Sequence, residues 1–172
     1  MKTTKRILRK GTLDYGLLYS PSKDFKLVRY NDSNWVGDTD DRKSATIFVF
    51  YMGDTTFTWT SKKQPIVTLS TCEAKYIAAT SSVCHAIWLR SLLKELQMSQ
   101  EEAMKIFVDN KLALAFAKNL VFHDRSKHID TIILFENILQ ERKFILIEFV
   151  KSHDQVADIL TKPLKYDTFN KL

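Results

Sequence analysis

Three aspartates stand at positions where their carboxylates could act on one substrate: Asp32, Asp109 and Asp158. Asp32 and Asp109 close two runs that are predicted as β-strands, and Asp158 lies in a predicted C-terminal helical turn. Ligands bind α/β sheets at strand ends beside a topological switch, and Mg²⁺ prefers a few carboxylate oxygens with water and phosphate oxygens. Two such ions, about 3.5–4 Å apart, would activate a water and stabilise the leaving oxygen of a phosphodiester. Taken singly, each aspartate is better explained as a turn-forming residue, so the metal-site hypothesis requires all three to meet.

The elements that must position these aspartates are predicted from hydrophobic periodicity, β-forming residues and turn signals. Strands are expected over residues 25–32, 45–52, 55–60, 104–108 and 144–150. Helices are expected over residues 70–96, 111–119, 125–142 and 153–160. A three-stranded meander followed by strand–helix units predicts an α/β fold with a mixed sheet flanked by helices.

The longest predicted helix begins with a recognisable cap. Ser70-Thr71-Cys72-Glu73 matches a capping box, in which Ser70 and Glu73 each satisfy a backbone donor at the helix start. The buried stripe of this helix is expected at apolar residues that recur with helical spacing. They are Ile77, Cys84, Trp88 and Leu92.

Composition is that of an ordinary globular domain. The chain has 172 residues, of which 45% are hydrophobic, enough for one domain with a proper core. Cys72 and Cys84 match neither a disulfide framework nor a metal-type pair, so we expect reduced core thiols. No apolar run is long enough to cross a bilayer, and no signal peptide is recognisable. We therefore expect an intracellular protein, cytoplasmic or nuclear, with no membrane partner and no small-molecule cofactor.

The distribution of basic residues is more informative than their number. A net charge of +6 indicates nucleic-acid binding only weakly by itself. Several separate basic clusters, however, suit phosphate contacts along a duplex better than one solvated helix face would. The clusters are Arg42-Lys43, Lys62-Lys63, Arg125–His128, and Lys162 with Lys165.

A series of motifs resembles, in order, the ribonuclease H domain of copia-type retrotransposon polyproteins. The motifs are Tyr30–Trp35, Asp41–Ser44, Ser61–Pro65, Leu69–Ala74, Phe107–Asn110, Phe122–Asp130 and Ala157–Leu164. The resemblance implies a ribonuclease H-like fold, a five-stranded mixed sheet flanked by helices, over residues 23–165. Residues 1–22 would be a remnant connecting segment and residues 166–172 a tail. The implied activity is Mg²⁺- or Mn²⁺-dependent hydrolysis of RNA in an RNA–DNA hybrid.

The resemblance also implies roles for individual residues. Asp32 would be the metal ligand shared by both ions, with Asp109 and Asp158 completing the site. His153 falls near the place where many relatives keep a mobile histidine that helps product leave. The residues assigned to substrate binding are Arg42, Lys43, Lys63, Lys75 and Asn110.

One departure from the family lies at the site itself. The helix motif usually reads Glu-Ala-Glu-Tyr with its second glutamate as a metal ligand, whereas this chain has Glu73-Ala74-Lys75-Tyr76. Residues two apart on a helix do not face the same side, so replacement of the lost ligand by Glu73 is disfavoured, although Glu73 stays a catalytic candidate. Lys75 would instead neutralise the acid cluster, which consists of Asp32, Asp109 and Asp158, or contact a phosphate.

Two functions therefore stay open at this point. The first is a metal-dependent endoribonuclease that cleaves RNA in an A-form duplex, either an RNA–DNA hybrid or double-stranded RNA. The second is a catalytically impaired domain that binds such duplexes. The three aspartates favour the enzyme, and Lys75 favours the binding domain. A decayed element without a present role is a weaker third interpretation.

Overall fold

A computed structural model describes residues 16, 19, 25–38, 40–118 and 145–172. The strands are β1 (Leu27–Asn34), β2 (Ala45–Met52), β3 (Thr55–Lys63), β4 (Met104–Val108) and β5 (Ile145–Phe149). The helices are α1 (Thr71–Glu95), α2 (Lys111–Lys118) and α3 (Tyr166–Lys171). Two 3-10 segments, Ser152–Asp154 and Val156–Leu160, follow β5. The helix predicted over residues 125–142 lies outside the described residues.

The strands form one mixed sheet in the order β3-β2-β1-β4-β5. β1, β2 and β3 pair antiparallel, while β4 runs parallel to both β1 and β5. The turn between β2 and β3 uses Gly53 at φ 59°, a left-handed conformation that glycine adopts without steric cost. The predicted five-stranded mixed sheet is thereby confirmed.

Two strands extend further than the sequence pattern predicts. β1 continues past Asp32 to Asn34, so that Asp32 lies within the strand and pairs with Ile47. β3 continues beyond its predicted end at residue 60, because Lys62 and Lys63 pair with Thr46 and Ala45. Charged residues are tolerated there since β3 is an edge strand with one side unpaired by the sheet.

Helix α1 begins as predicted but buries a different face. Ser70 is the N-cap, and its hydroxyl accepts from the Glu73 backbone N–H at 3.1 Å. Of the predicted stripe only Ile77 is buried; Cys84, Trp88 and Leu92 are exposed, so that prediction is wrong. The buried face instead combines small side chains, which let the helix approach β1 and β2 closely, with a few larger apolar ones. The residues that the helix buries include Ala74, Ala79, Val83, Ala86, Leu89 and Leu93.

The two cysteines are free but do not belong to the core. Cys84 is exposed and Cys72 is half-buried, so their assignment as core thiols is wrong. The core is formed by the α1-facing side of the sheet, with Phe50, Ile106 and Val83 fully buried. Within the described ranges, no helix is long and apolar enough to cross a membrane.

Candidate active site

Sheet topology brings Asp32 and Asp109 to neighbouring positions. β1 and β4 are parallel neighbours, and Asn31 is in register with Val108. Asp32 and Asp109 are the next residues on these strands, which are about 4.8 Å apart as adjacent strands are. Both side chains are almost fully buried, with 4% and 8% of their surface exposed. Two carboxylates therefore meet at one end of the sheet.

Asp158 reaches the same place from the C-terminal 3-10 segment. Gln155 holds this segment against β1, because its buried side-chain amide donates to the Asn31 carbonyl at 3.0 Å. Its side-chain oxygen in turn accepts from the Ala157 backbone N–H at 3.4 Å. Asp158 is 3% exposed, and its carboxyl lies within hydrogen-bonding reach of Asp32. The structure thus brings the three predicted aspartates together.

Lys75 lies between two of these carboxylates. Its Nζ donates to Asp32 Oδ1 at 2.8 Å and also to Asp109 Oδ1. The lysine side chain is only 16% exposed. The start of α1 is held in place beside it, because buried Gln64 donates to the Ala74 carbonyl at 2.9 Å and to Thr46 Oγ1 at 3.1 Å. Position 75 is therefore presented to the acid cluster by a well-anchored helix start.

Glu73 points away from the acid cluster. Its Oε2 accepts from the Leu69 backbone N–H at 2.5 Å, while its own N–H donates to Ser70. Both bonds satisfy donors at the helix start, as a capping box does. The structure places Glu73 in the cap and Lys75 in the cluster, which agrees with the helix geometry expected from the sequence.

Burial and charge set the protonation of the cluster. Burial raises the pKa of Asp32, but the charge and hydrogen bond of Lys75 outweigh burial and the pKa is lowered overall. Burial likewise lowers the pKa of Lys75, and the two aspartates more than reverse this, so that its pKa is raised. Lys75 and Asp32 are therefore a charged pair at neutral pH.

Asp158 behaves differently because most of its contacts favour the protonated form. Burial raises its pKa to about 7, against the opposing hydrogen bond of Lys162, and the negative charge of Asp32 adds to the rise. Lys162 Nζ lies 2.7 Å from Asp158 Oδ2, whereas Oδ1 is buried and meets no donor group. A proton shared by Asp158 and Asp32 would satisfy this otherwise unpaired oxygen.

The acid cluster does not fit a divalent cation in this arrangement. Within the residues that the structure describes, no group of three His, Cys, Asp or Glu side chains is arranged to hold a metal ion. The oxygens that Asp32 and Asp109 would offer are bonded to the Lys75 ammonium instead. A metal ion at this place would have to displace that ammonium group.

Of two other predicted site residues, His153 lies at the surface and Asn110 has a structural role. His153 is 59% exposed and pairs with Asp154 at 3.0 Å. Its neighbour Ser152, which the sequence did not single out, is closer to the site, with its hydroxyl 3.5 Å from Asp109 Oδ2. Asn110 caps α2, since its Oδ1 accepts from the backbone N–H groups of Leu112 and Ala113 at 2.9 and 3.0 Å.

The predicted basic contacts lie at the same end of the sheet as the acids. Across the strands, Asp32 pairs with Ile47 and Ile47 pairs with Ser61, so Lys62 and Lys63 follow directly on β3. Arg42 and Lys43 precede β2 at this end, and Arg42 has a left-handed φ of 56°.

Lys63 is already engaged by acids of the β1–β2 loop. Its Nζ lies 2.5 Å from Asp38 Oδ2 and 3.0 Å from Asp41 Oδ2. This pairing lowers the pKa of both exposed aspartates through their hydrogen bonds to Lys63. Lys63 therefore links the edge strand to the loop that carries Arg42 and Lys43.

Comparisons with known proteins find that the chain is similar to transposon polyproteins. It is 36% identical over 167 residues to the retrovirus-related Pol polyprotein of transposon RE2 from Arabidopsis thaliana, which covers 96% of this chain and 12% of that protein. It is 35% identical over 170 residues to the corresponding polyprotein of a Nicotiana tabacum transposon, covering 98% of this chain and 13% of that protein. The chain thus spans about an eighth of the length of these relatives. No model of a known protein family matches it.

Solved structures show the same fold. LC11-RNase H1, isolated from compost by a metagenomic approach, superposes with a TM-score of 0.59 at 16% sequence identity. The match covers 79% of this chain and 92% of that protein.

Proposed function

We propose that this chain, which is homologous to the Pol polyproteins of copia-type transposons and has the fold of ribonuclease H, binds RNA-containing A-form duplexes. The acid cluster would face the sugar–phosphate backbone, and the basic residues beside it would contact neighbouring phosphates. With Lys75 in place, we expect binding without efficient cleavage. The observation that carries this proposal is the ion pair of Lys75 with Asp32 and Asp109, which puts an ammonium group where a hydrolytic site would need a metal ion.

The basic end of the sheet supports duplex binding. Lys62 and Lys63 lie two strands away from Asp32, about 10 Å across the sheet at the usual strand spacing. A duplex lying over Asp32 would therefore pass the β3 lysines and the Arg42 loop. Such contacts act by releasing counterions, so the affinity should be independent of sequence and fall with salt.

A preference for RNA-containing duplexes follows from their shape. A-form helices present a wide, shallow minor groove with 2′-hydroxyl groups, and proteins recognise them through these groups and the phosphates. RNA–DNA hybrids and double-stranded RNA share this form closely enough for both to be candidate ligands. B-form DNA lacks both features and should bind more weakly.

A second candidate function is Mg²⁺- or Mn²⁺-dependent cleavage of the RNA strand. The observation that favours it is the convergence of Asp32, Asp109 and Asp158, the hard oxygen ligands that such chemistry uses. The difference between the two candidates is whether a divalent cation displaces the Lys75 ammonium from these carboxylates.

Labelled duplexes of one sequence, as RNA–DNA hybrid, double-stranded RNA and double-stranded DNA, test both candidates. Fluorescence anisotropy in EDTA at low and physiological salt measures binding. Gel analysis with Mg²⁺ or Mn²⁺ measures cleavage, with Asp109→Asn as the background. The proposal predicts salt-sensitive binding to the two RNA-containing duplexes and no cleavage above that background. Equal affinity for all three duplexes, or no binding, contradicts the proposal, and cleavage above the Asp109→Asn level supports the second candidate.

A further inference from the structure

We propose that the Lys75 ammonium is a built-in substitute for a divalent cation: it bridges Asp32 and Asp109, cancels one of their two negative charges, and offers its remaining N–H to a phosphate oxygen of a bound duplex. The first part concerns the protein alone, and the second rests on the function proposed above. The consequence is that neither the fold nor duplex binding requires a metal ion.

The contacts of Lys75 match those expected of such a group. An ammonium has three N–H donors and no acceptor. Two carboxylates from different strands, Asp32 and Asp109, take one donor each. No other described residue accepts from the third donor, and the side chain is 16% exposed, so an acceptor can reach it from solvent.

Electrostatics explains why the cluster needs a cation. The side chains of Asp32 and Asp109 are 4% and 8% exposed, and the two residues lie side by side, Asp32 within β1 and Asp109 directly after β4. Two buried carboxylates at that separation repel each other, and each would lose most of its hydration without a compensating charge. With Lys75 the chain itself supplies a cation between the two carboxylates. Without Lys75, one carboxylate must be protonated or a cation must be recruited from solution.

Among the residues that the structure describes, Lys162 is the other cationic group at the cluster, and it cannot take over this task. Lys162 pairs with Asp158 from the C-terminal side, and its own side chain is 50% exposed. Its ion pair is with Asp158 Oδ2 at 2.7 Å, and not with Asp32 or Asp109. Removal of Lys75 therefore leaves Asp32 and Asp109 as the uncompensated pair.

Thermal unfolding with and without divalent cations tests the first part. The wild type, Lys75→Met and Lys75→Arg are melted in EDTA and in Mg²⁺ or Mn²⁺ at one ionic strength. Lys63→Met is the matched control, because Lys63 also bridges two aspartates but lies 48% exposed at the surface. We expect the Tm of the wild type, Lys75→Arg and Lys63→Met to be the same in both buffers. For Lys75→Met we expect divalent cations to raise the Tm by more than about 3 °C, a resolvable shift for a domain of this size.

Two results would overturn the inference. One is a wild-type Tm that rises on saturation with Mg²⁺ or Mn²⁺ as much as that of Lys75→Met. The other is a Lys75→Met protein whose Tm ignores divalent cations. Should Lys75→Met fail to fold in EDTA, refolding in Mn²⁺ followed by spectroscopic titration of bound Mn²⁺ gives the same information. The inference is supported if Lys75→Met binds Mn²⁺ at least about tenfold more tightly than the wild type does, which corresponds to about 1.4 kcal/mol. Equal Mn²⁺ affinities of the two proteins refute it.

Duplex affinity in EDTA tests the contact with phosphate. Wild type and Lys75→Arg, which keeps the cation, should bind the hybrid similarly, and Lys75→Met should bind at least about fivefold more weakly with a salt slope reduced by about one. If Lys75→Met binds the hybrid as tightly as the wild type does, the proposed contact between Lys75 and a phosphate is refuted. If the wild type binds no duplex at all, the proposed function fails, while the unfolding experiment still decides whether Lys75 replaces a cation.

Discussion

Replacing Asp158 by asparagine should make this protein more stable at alkaline pH. Asp158 is 3% exposed, close to Asp32, and its pKa is raised to about 7. The structure therefore favours a protonated side chain that donates to Asp32. The asparagine amide also donates a hydrogen bond, has nearly the same shape and does not ionise.

The direction and size of this change in stability follow from the pKa of Asp158. In the unfolded chain the pKa of an aspartate returns to 3.8, so between pH 4 and 7 the folded state binds the proton more tightly. The contribution of Asp158 to stability is then fully present below pH 4 and is lost as the pH rises towards 7. About three pKa units correspond to about 4 kcal/mol as an upper limit. Loss of the half-exposed ion pair with Lys162 takes away up to about 1 kcal/mol, so we expect a gain of about 1–3 kcal/mol at pH 8.

Urea unfolding in EDTA at several pH values between 4 and 8 measures this difference. Asp54→Asn, at the exposed turn between β2 and β3, is the matched control that should show no such trend. Comparing variant with wild type at each pH cancels the titration of groups that do not interact with Asp158. The reasoning is refuted if the difference between Asp158→Asn and wild type is flat across this range, or if the variant is the less stable protein at pH 8.

Three further predictions follow from the site and its supports. Lys75→Glu should raise Mg²⁺-dependent cleavage of the hybrid above the wild-type level, because it removes a cation and supplies an oxygen ligand. Glu73→Gln should leave cleavage unchanged. A folded but inactive Glu73→Gln protein would show that Glu73 is a ligand. Asn110→Ala and Ser70→Ala should each lower the free energy of unfolding by about 1 kcal/mol through a lost helix cap, and unchanged urea midpoints would contradict this. Arg42→Ala should reduce the slope of log affinity against log salt by about one for every duplex, and an unchanged slope would exclude a phosphate contact.

Much of the acid cluster was predictable because it depends on few strongly patterned elements. Asp32 and Asp109 each close a β-forming run of the sequence, and both come to one end of the sheet because β1 and β4 are parallel neighbours. The orientations of Glu73 and Lys75 follow from the helix period once Ser70 is recognised as the cap. The assignment of Asp158 to the site depended on the family resemblance, since the segment that carries this residue is a short 3-10 turn rather than a regular helix.

Features that depend on tertiary contact could not be read from local patterns. The buried face of α1 includes several small residues, such as Ala79 and Ala86, which contribute little to an apolar stripe, and Trp88 lies on an exposed side. Gln155 gave no signal, because its role is to bond the Asn31 carbonyl, 124 positions earlier in the chain. The pairing of Lys63 with two loop aspartates likewise arises from a contact between β3 and the β1–β2 loop.

The anchoring of α1 makes position 75 decisive for the chemistry of this sheet edge. The Ser70 cap and the bonds of Gln64 hold the helix start without any contribution from the side chain at position 75. Whatever side chain stands there is therefore presented to Asp32 and Asp109. A carboxylate would add a fourth acid to the cluster and create a demand for cations, whereas the ammonium satisfies that demand. One substitution on an unchanged framework thus separates a site that recruits metal ions from one that is neutralised from within, and its reversal requires no remodelling of the fold.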